Sequence, residues 1–184
     1  MPKRMFAGTI VALGLALAAP GKAQVTQANM LDRLQIEDLI TRYYGDLGHG
    51  ASDFAKYYVP GAELDVNGRV AHGSEAIEQL YRDLAAANRG GPTNGAGTFH
   101  MLLSNPVIEV KGTTAVARFI WTGILNDGIK KPPHFVEQGR EYDVLEKRAG
   151  EWRIRKRVII ADSGMPDFFD KTYTPRKDYD PLKD

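Results

Sequence analysis

Thr98-Phe99-His100-Met101-Leu102-Leu103-Ser104-Asn105-Pro106-Val107-Ile108-Glu109-Val110 is apolar and rich in β-formers. It follows the glycine-loaded run Arg89-Gly90-Gly91-Pro92-Thr93-Asn94-Gly95-Ala96-Gly97. Glycines cheapen irregular backbone, and a β-forming run directly after them marks a loop ending and a half-buried strand starting near Phe99. His100 therefore stands at the mouth of a strand. Imidazole is the side chain that gives and takes protons near neutral pH without help, so this position carries the strongest chemical cue of the chain. The competing reading is a histidine that only satisfies its own hydrogen bonds.

Downstream, Thr114 to Leu125, His134 to Arg148 and Glu151 to Ala161 are further β segments. They are joined by a turn at Lys111-Gly112, a polar loop through Pro133, and a turn at Ala149-Gly150. Long strands linked mainly by tight turns read as an antiparallel meander. Upstream, Leu31, Leu34, Leu39, Tyr43 and Leu47, with Ile36, Ile40 and Tyr44 beside them, recur at helical spacing from Asn29 to Leu47. Gly48-His49-Gly50 closes that helix. Ser52 or Asp53 caps a second, short helix through Tyr57 and Tyr58, which Pro60 and Gly61 end. Asn67-Gly68 between Glu63-Leu64-Asp65-Val66 and Arg69-Val70-Ala71-His72 suits a type I′ hairpin. Ser74 caps a third helix carrying Ile77, Leu80, Tyr81 and Leu84. The segregated pattern predicts an α+β fold, with helices burying one face of an antiparallel sheet.

Lys3 and Arg4, the apolar run Met5 to Ala19 and the small residues ending at Ala23 read as a cleavable signal peptide over residues 1–23. The remainder suffices for one domain, residues 24–161, followed by a tail, 162–184, whose charges, prolines and aromatics suit a strap or partial disorder. The whole chain carries a formal charge of +1, and losing three leader cations makes the mature chain slightly acidic. That gives no broad footprint for nucleic acid or for a membrane surface. The absence of cysteine excludes disulfides, thiolate metal sites and cysteine nucleophiles. Export without an anchor points to a periplasmic or secreted protein.

Leu34-Gln35-Ile36-Glu37-Asp38-Leu39-Ile40-Thr41-Arg42-Tyr43, the stretch His100 to Val110, Gly139-Arg140-Glu141-Tyr142-Asp143 and Gly150-Glu151-Trp152-Arg153-Ile154-Arg155-Lys156-Arg157 together resemble the SnoaL-like branch of the nuclear transport factor 2-like superfamily. The resemblance runs from Leu31 to Ala161. It implies a cone-shaped α+β barrel, three N-terminal helices on a curved antiparallel sheet, with an apolar pocket at one end. Members include dehydratases, dehydrohalogenases, isomerases, epoxide hydrolases, cyclases and lyases that remove formaldehyde from lignin-derived diaryl compounds. Most need no cofactor, and none is expected here.

By the same resemblance His100 is the base, Tyr43 assists it, and Arg157 matches an arginine of the last strand. Glu141 stands where a tyrosine is common, and Asp143 keeps a frequent acid. Gly48 occupies the position of an aspartate that usually orients the histidine, leaving Asp46 or His49 to replace it. Strand alternation puts Glu137, Gly139, Glu141 and Asp143 on one face. It puts Arg153, Arg155 and Arg157 on the face opposite Trp152, Ile154 and Val158, so Arg157 is either solvated or carried inward by curling of the sheet.

A site of His100, Tyr43, Arg157 and one acid suits proton abstraction coupled to departure of a leaving group. Tyr44, Tyr58, Phe99 and Trp121 either line a pocket for a flat ligand or belong to the core. The four histidines, His49, His72, His100 and His134, are scattered without metal-ligand spacing, and no metal site is expected. Two classes of function follow. One is an exported lyase working by elimination, dehydration or retro-aldol loss of formaldehyde on a small aromatic molecule, lignin-derived compounds included. The other is a non-catalytic module of the same fold that binds a small molecule or dimerises, which Gly48 favours. A homodimer is expected under both.

Overall fold

The computed structural model describes residues 25–48, 53–87, 97–165, 169 and 172–183. The signal-peptide reading, His49 and Ser52 lie outside them. The elements are α1 (Met30–Gly48), a 3-10 turn (Phe54–Tyr57), β1 (Tyr58–Val66), β2 (Arg69–His72), α2 (Gly73–Ala87), β3 (Thr98–Lys111), β4 (Thr114–Asn126), β5 (His134–Arg148) and β6 (Glu151–Ser163). The sheet order is β2-β1-β6-β5-β4-β3. β3 to β6 form the expected meander, and β1 pairs parallel to β6, so the sheet is mixed.

The predicted second helix is only the 3-10 turn. Asp53 takes a left-handed conformation and makes no side-chain cap, and the Ala55 amide donates instead to Glu78 Oε1 of α2 at 2.6 Å. Pro60 and Gly61 do not close a helix but lie inside β1. Pro60 is exposed, Gly61 has φ of 75°, and the register against β6 slips between Tyr58 and Glu63. The missing proline donor is tolerated at such an irregularity. Asn67 and Gly68 both have positive φ, as a type I′ turn requires. The Asn67 side chain also accepts a bond from the Ala161 amide at 2.7 Å, tying the hairpin to β6.

Helix α1 lies on the inner face of the sheet and buries Ile36, Leu39, Ile40, Tyr43 and Tyr44. Leu31 and Leu34 of the predicted stripe are instead exposed. The buried set centres one step further round the helix, where Tyr43 and Tyr44 both reach the sheet. Asp32 fixes the start of α1: its Oδ1 accepts bonds from Lys147 Nζ at 2.6 Å and from the Trp152 indole at 3.0 Å. Both donors come from the two strands flanking the Ala149-Gly150 turn.

The tail is a strap across the outer face. Arg176 pairs with Asp65 at 2.8 Å, and Arg140 donates to the carbonyls of Arg176 and Lys177 at 2.8 and 3.1 Å. The Tyr179 ring meets Tyr142 edge-on at 5.0 Å. The strap covers β5 and β6, and among the described residues Leu102 and Val107 on the outer face of β3 stay exposed.

Replacing Asp32 with Ala removes a charge-assisted clamp and is expected to cost about 1–3 kcal/mol of unfolding free energy in urea titrations. The Lys147 hydrogen bond, with that of Trp152, holds the Asp32 carboxyl below its ordinary value despite the opposing effect of burial. The clamp therefore contributes fully above the ordinary aspartate pKa and is lost as pH falls through the lowered one. A wild-type urea midpoint in the variant at pH 7 would refute this role.

Candidate active site

Arg157 reaches the interior through a bulge. Leu145 pairs with Ile154 and Val144 pairs with Lys156, so Arg155 is an extra residue in β6. One inserted residue reverses the alternation of every side chain after it. Trp152, Ile154 and Arg157 thus share the inner face, while Arg155 stays exposed. The inward alternative for Arg157 holds, and the mechanism is a register slip.

Inside, Arg157, Asp143 and Glu141 are each 0% exposed. Arg157 Nε donates to Asp143 Oδ1 at 2.7 Å and Nη2 to Oδ2 at 3.0 Å, a bidentate fork. Nη2 also lies 3.0 Å from Glu141 Oε1. The Tyr44 hydroxyl donates to the other Glu141 oxygen. The guanidinium sits 3.9 Å from the centre of the Tyr43 ring, and that ring meets Tyr44, Phe54, Tyr57, Tyr58 and Tyr81 edge-on. The Tyr58 and Tyr81 hydroxyls are 3.3 Å apart.

Burial raises the Glu141 carboxyl far above the usual carboxylate range. The Arg157 charge opposes the shift and Asp143 adds to it. Burial draws the Arg157 guanidinium down, but Asp143 and Glu141 more than offset this and hold it charged. Burial likewise raises Tyr43, Tyr44 and Tyr58, so all three remain neutral phenols. The cluster thus combines the Arg157–Asp143 fork, a carboxyl that burial raises and several hydroxyls. Three of its atoms, Tyr43 Oη, Arg157 Nη1 and Glu141 Oε1, are buried without a well-formed hydrogen bond among the described residues.

His100 does not take part. β3 alternates with Phe99, Met101 and Leu103 inward, so His100 points outward and is exposed. It pairs across β4 with Ile124, which in turn pairs with the exposed Phe135. The expected base is thus separated from the cluster by the sheet itself, because strand alternation ties it to Phe99. Asp46 is also elsewhere. Its Oδ2 accepts from Tyr57 at 2.6 Å and pairs with Lys56 at 2.7 Å, in a surface groove of about 620 Å³ shared with Arg42 and Arg153. Burial, then the Asp46 hydrogen bond, pushes Tyr57 up to about 12.

Tyr43, Tyr44, Tyr58, Glu141, Asp143 and Arg157 are brought together as one cluster. Phe99 and Trp121 face the same interior nearer its rim. The Trp121 indole lies against Gly139, where a Cβ would come within 2.4 Å of the ring. Its Nε1 is buried without a partner. Glu137, on the inner face of β5 and absent from the sequence-based site, belongs to this rim as well. Its alternation with Glu141 was the available signal, but nothing in the sequence distinguished a rim carboxylate from a solvated one. Among the described residues no group of three or more His, Asp or Glu side chains is placed to hold a metal ion.

The helix-lined, strongly curved sheet is the cone of the nuclear transport factor 2-like fold. The SnoaL-like domain family matches residues 28–158, and the chain belongs to that family. Solved structures sharing the fold include a putative scytalone dehydratase from Novosphingobium aromaticivorans (18% identity, TM-score 0.64, covering 85% of this chain and 100% of that one). Another is Aln2 from a Streptomyces species (23% identity, TM-score 0.59, covering 72% and 92%). A third is an NTF2-like protein with a cystatin-like fold, also from N. aromaticivorans (22% identity, TM-score 0.59, covering 75% and 86%). No curated protein matches the chain significantly.

An acid whose pKa is raised on folding favours the folded state most below its unfolded value, and that contribution is lost as pH rises through the folded value. Glu141→Gln is therefore expected to flatten the decline in stability above about pH 4.5, read as urea midpoints between pH 5 and 9. If wild type and variant decline in parallel, Glu141 is not the buried acid.

Proposed function

We propose that the protein is a cofactor-independent acid–base catalyst of the dehydratase or cyclase type, acting on a small aromatic molecule that bears a leaving or enolisable oxygen. The observation that carries this reading is the buried cluster in which Tyr43 Oη and Arg157 Nη1 have no hydrogen-bond partner among the described residues. Arg157 Nη1 and Tyr43 Oη offer hydrogen bonds to an oxygen that gains negative charge, in surroundings where such bonds are strong. Glu141, whose carboxyl burial holds well above the usual carboxylate range, gives that oxygen a proton as it departs and takes one back in the reverse direction. Asp143 keeps Arg157 charged and aimed. The scytalone dehydratase label of one structural neighbour fits this chemistry, and the aromatic walls suit a flat substrate. Lignin-derived aromatics stay within the proposed class.

The reading includes export, which the leader ending at Ala23 supports, and self-association. Leu102, Val107 and Phe135 are exposed, a patch suited to a second copy. Sedimentation of the mature chain at micromolar concentration should show a dimer, and a purely monomeric boundary would remove that element. The full burial of the cluster and Gly48 at the usual aspartate position favour the second reading, a binding module without turnover.

The test is a panel of hydroxylated, halogenated and lignin-derived aromatic compounds incubated with the mature protein and followed by mass spectrometry. On any substrate that turns over, Tyr43→Phe should lower kcat about 10²–10³-fold, the effect of removing one oxyanion donor. His100→Ala should leave it unchanged. Binding by calorimetry with no product would establish the module. Undiminished turnover in Tyr43→Phe would exclude the cluster as the reacting centre.

A further inference from the structure

Elimination needs a base as well as an acid, and the outward turn of His100 leaves the proposed site without one. The inner face of β5 supplies a carboxylate outside the buried cluster. Glu137 and Glu141 project to the same side with Gly139 between them, about 13 Å apart at their α-carbons for a regular strand. Gly139 carries no side chain, and the Trp121 indole lies on it. The buried Trp121 indole fills the space between the two carboxyls and separates Glu137 from the deep cluster.

Glu137 is seated by glycines. Added to Gly123, a Cβ would lie 2.6 Å from Glu137 Cγ and 2.9 Å from the Phe99 ring, so the bare backbone there makes room for both. On the other side Gly164, at φ of 70°, brings its backbone against Val136 and Glu137, with a Cβ position 2.1 Å from the Val136 carbonyl. Glu137 also lines a cleft of about 350 Å³ with Thr122, Phe135, Gln138 and Ser163. Among the described residues no other charged side chain lines that cleft, and Phe99, Gly123 and Gly164 from the neighbouring elements are uncharged too. Among the described residues Glu137 makes no hydrogen bond and no ion pair.

We propose that Glu137 is a catalytic base at the rim of the cone, taking a proton from a flat guest held in the cleft that Glu137 lines with Thr122, Phe135 and Gln138. This assignment rests on the acid–base reading of the site and adds the group which that reading lacks. A desolvated carboxylate with no counter-ion is a stronger base than one in water. Burial alone pushes Glu137 up to about 7, so near neutral pH it is present in both forms and returns the proton as readily as it takes it.

The probe is 5-nitrobenzisoxazole, a flat heteroaromatic whose ring opening needs only a base. Glu137 takes the C3 proton, the C–H electron pair forms the nitrile, and the N–O bond breaks to leave a phenolate. With the full mature protein, the rate above buffer should rise with pH through an inflection near 7. Glu137→Gln should lower that rate by at least about 100-fold. Glu137→Asp, which keeps a carboxylate, should retain part of it with a shifted inflection. Near-UV circular dichroism checks that both variants are folded, and Glu137→Asp carries the test if the amide is not.

The assignment is overturned by no catalysis above buffer, by a wild-type rate in Glu137→Gln, or by a pH profile unchanged in Glu137→Asp. Tyr43→Phe separates the two levels of inference. If it abolishes turnover of a panel substrate while Glu137→Gln leaves both that turnover and the probe rate intact, the deep cluster stands and the rim base falls. If Glu137→Gln abolishes the probe rate and Tyr43→Phe changes no turnover, the rim base stands and the oxyanion reading falls.

Discussion

A guanidinium held out of water inside a cone is the constraint around which the inner face is organised. Isolated burial of a charge costs several kcal/mol even after relaxation. Arg157 is tolerated because Asp143 meets it in a two-point fork, the Tyr43 ring covers its face, and Glu141 Oε1 stands 3.0 Å from Nη2. Each of these depends on secondary structure outside the cluster. The fork needs the β5–β6 register, the register needs the bulge at Arg155, and the ring needs α1 at its present height. That height is fixed by Asp32 against Lys147 and Trp152 at the far end of the same strands.

Well-packed apolar residues often replace such buried ion pairs without loss of stability. A domain of this size had a simpler way to fill its core, as Ala117 and Leu145 do one strand position away from the cluster. The orphaned atoms sharpen the point. A network built only to hold strands together would be expected to close its own hydrogen bonds, and here a phenol and a guanidinium nitrogen have no partner among the described residues.

Much of the fold was legible in the sequence, because period-2 and period-3.6 patterns decide which elements form and on which face they bury. The meander, the Asn67-Gly68 hairpin, and α1 with Tyr43 and Tyr44 inward follow from that patterning. What escaped it were departures from period. Asp53 looked like a cap but adopts a left-handed conformation that caps nothing, so a helix shrank to a turn. The parallel contact of β1 with β6 joins segments about ninety residues apart, and no local pattern encodes such a pairing. The bulge at Arg155 moved Arg157 to the opposite face from the one alternation gave it. The acidic residues of β5 were read correctly as sharing a face. Which of them is deep and which at the rim depends on strand register and on glycines in neighbouring strands.

His100 and Glu137 show how one rule excludes one candidate base and admits another. On β3 the apolar residues Phe99, Met101 and Leu103 claim the inner face, so the residue between the first two must face out, whatever its chemistry. On β5 Glu137, Gly139, Glu141 and Asp143 hold the inner face together, although three of the four are acids. Carboxylates in such a row face inward only if something in the interior compensates them. Arg157 does so for the two deepest. Glu137 lies beyond its reach, and the small residues at Gly123, Gly139 and Gly164 give that side chain space without giving it a partner. The inner face of β5 therefore runs from a compensated acid at depth to an uncompensated one at the rim.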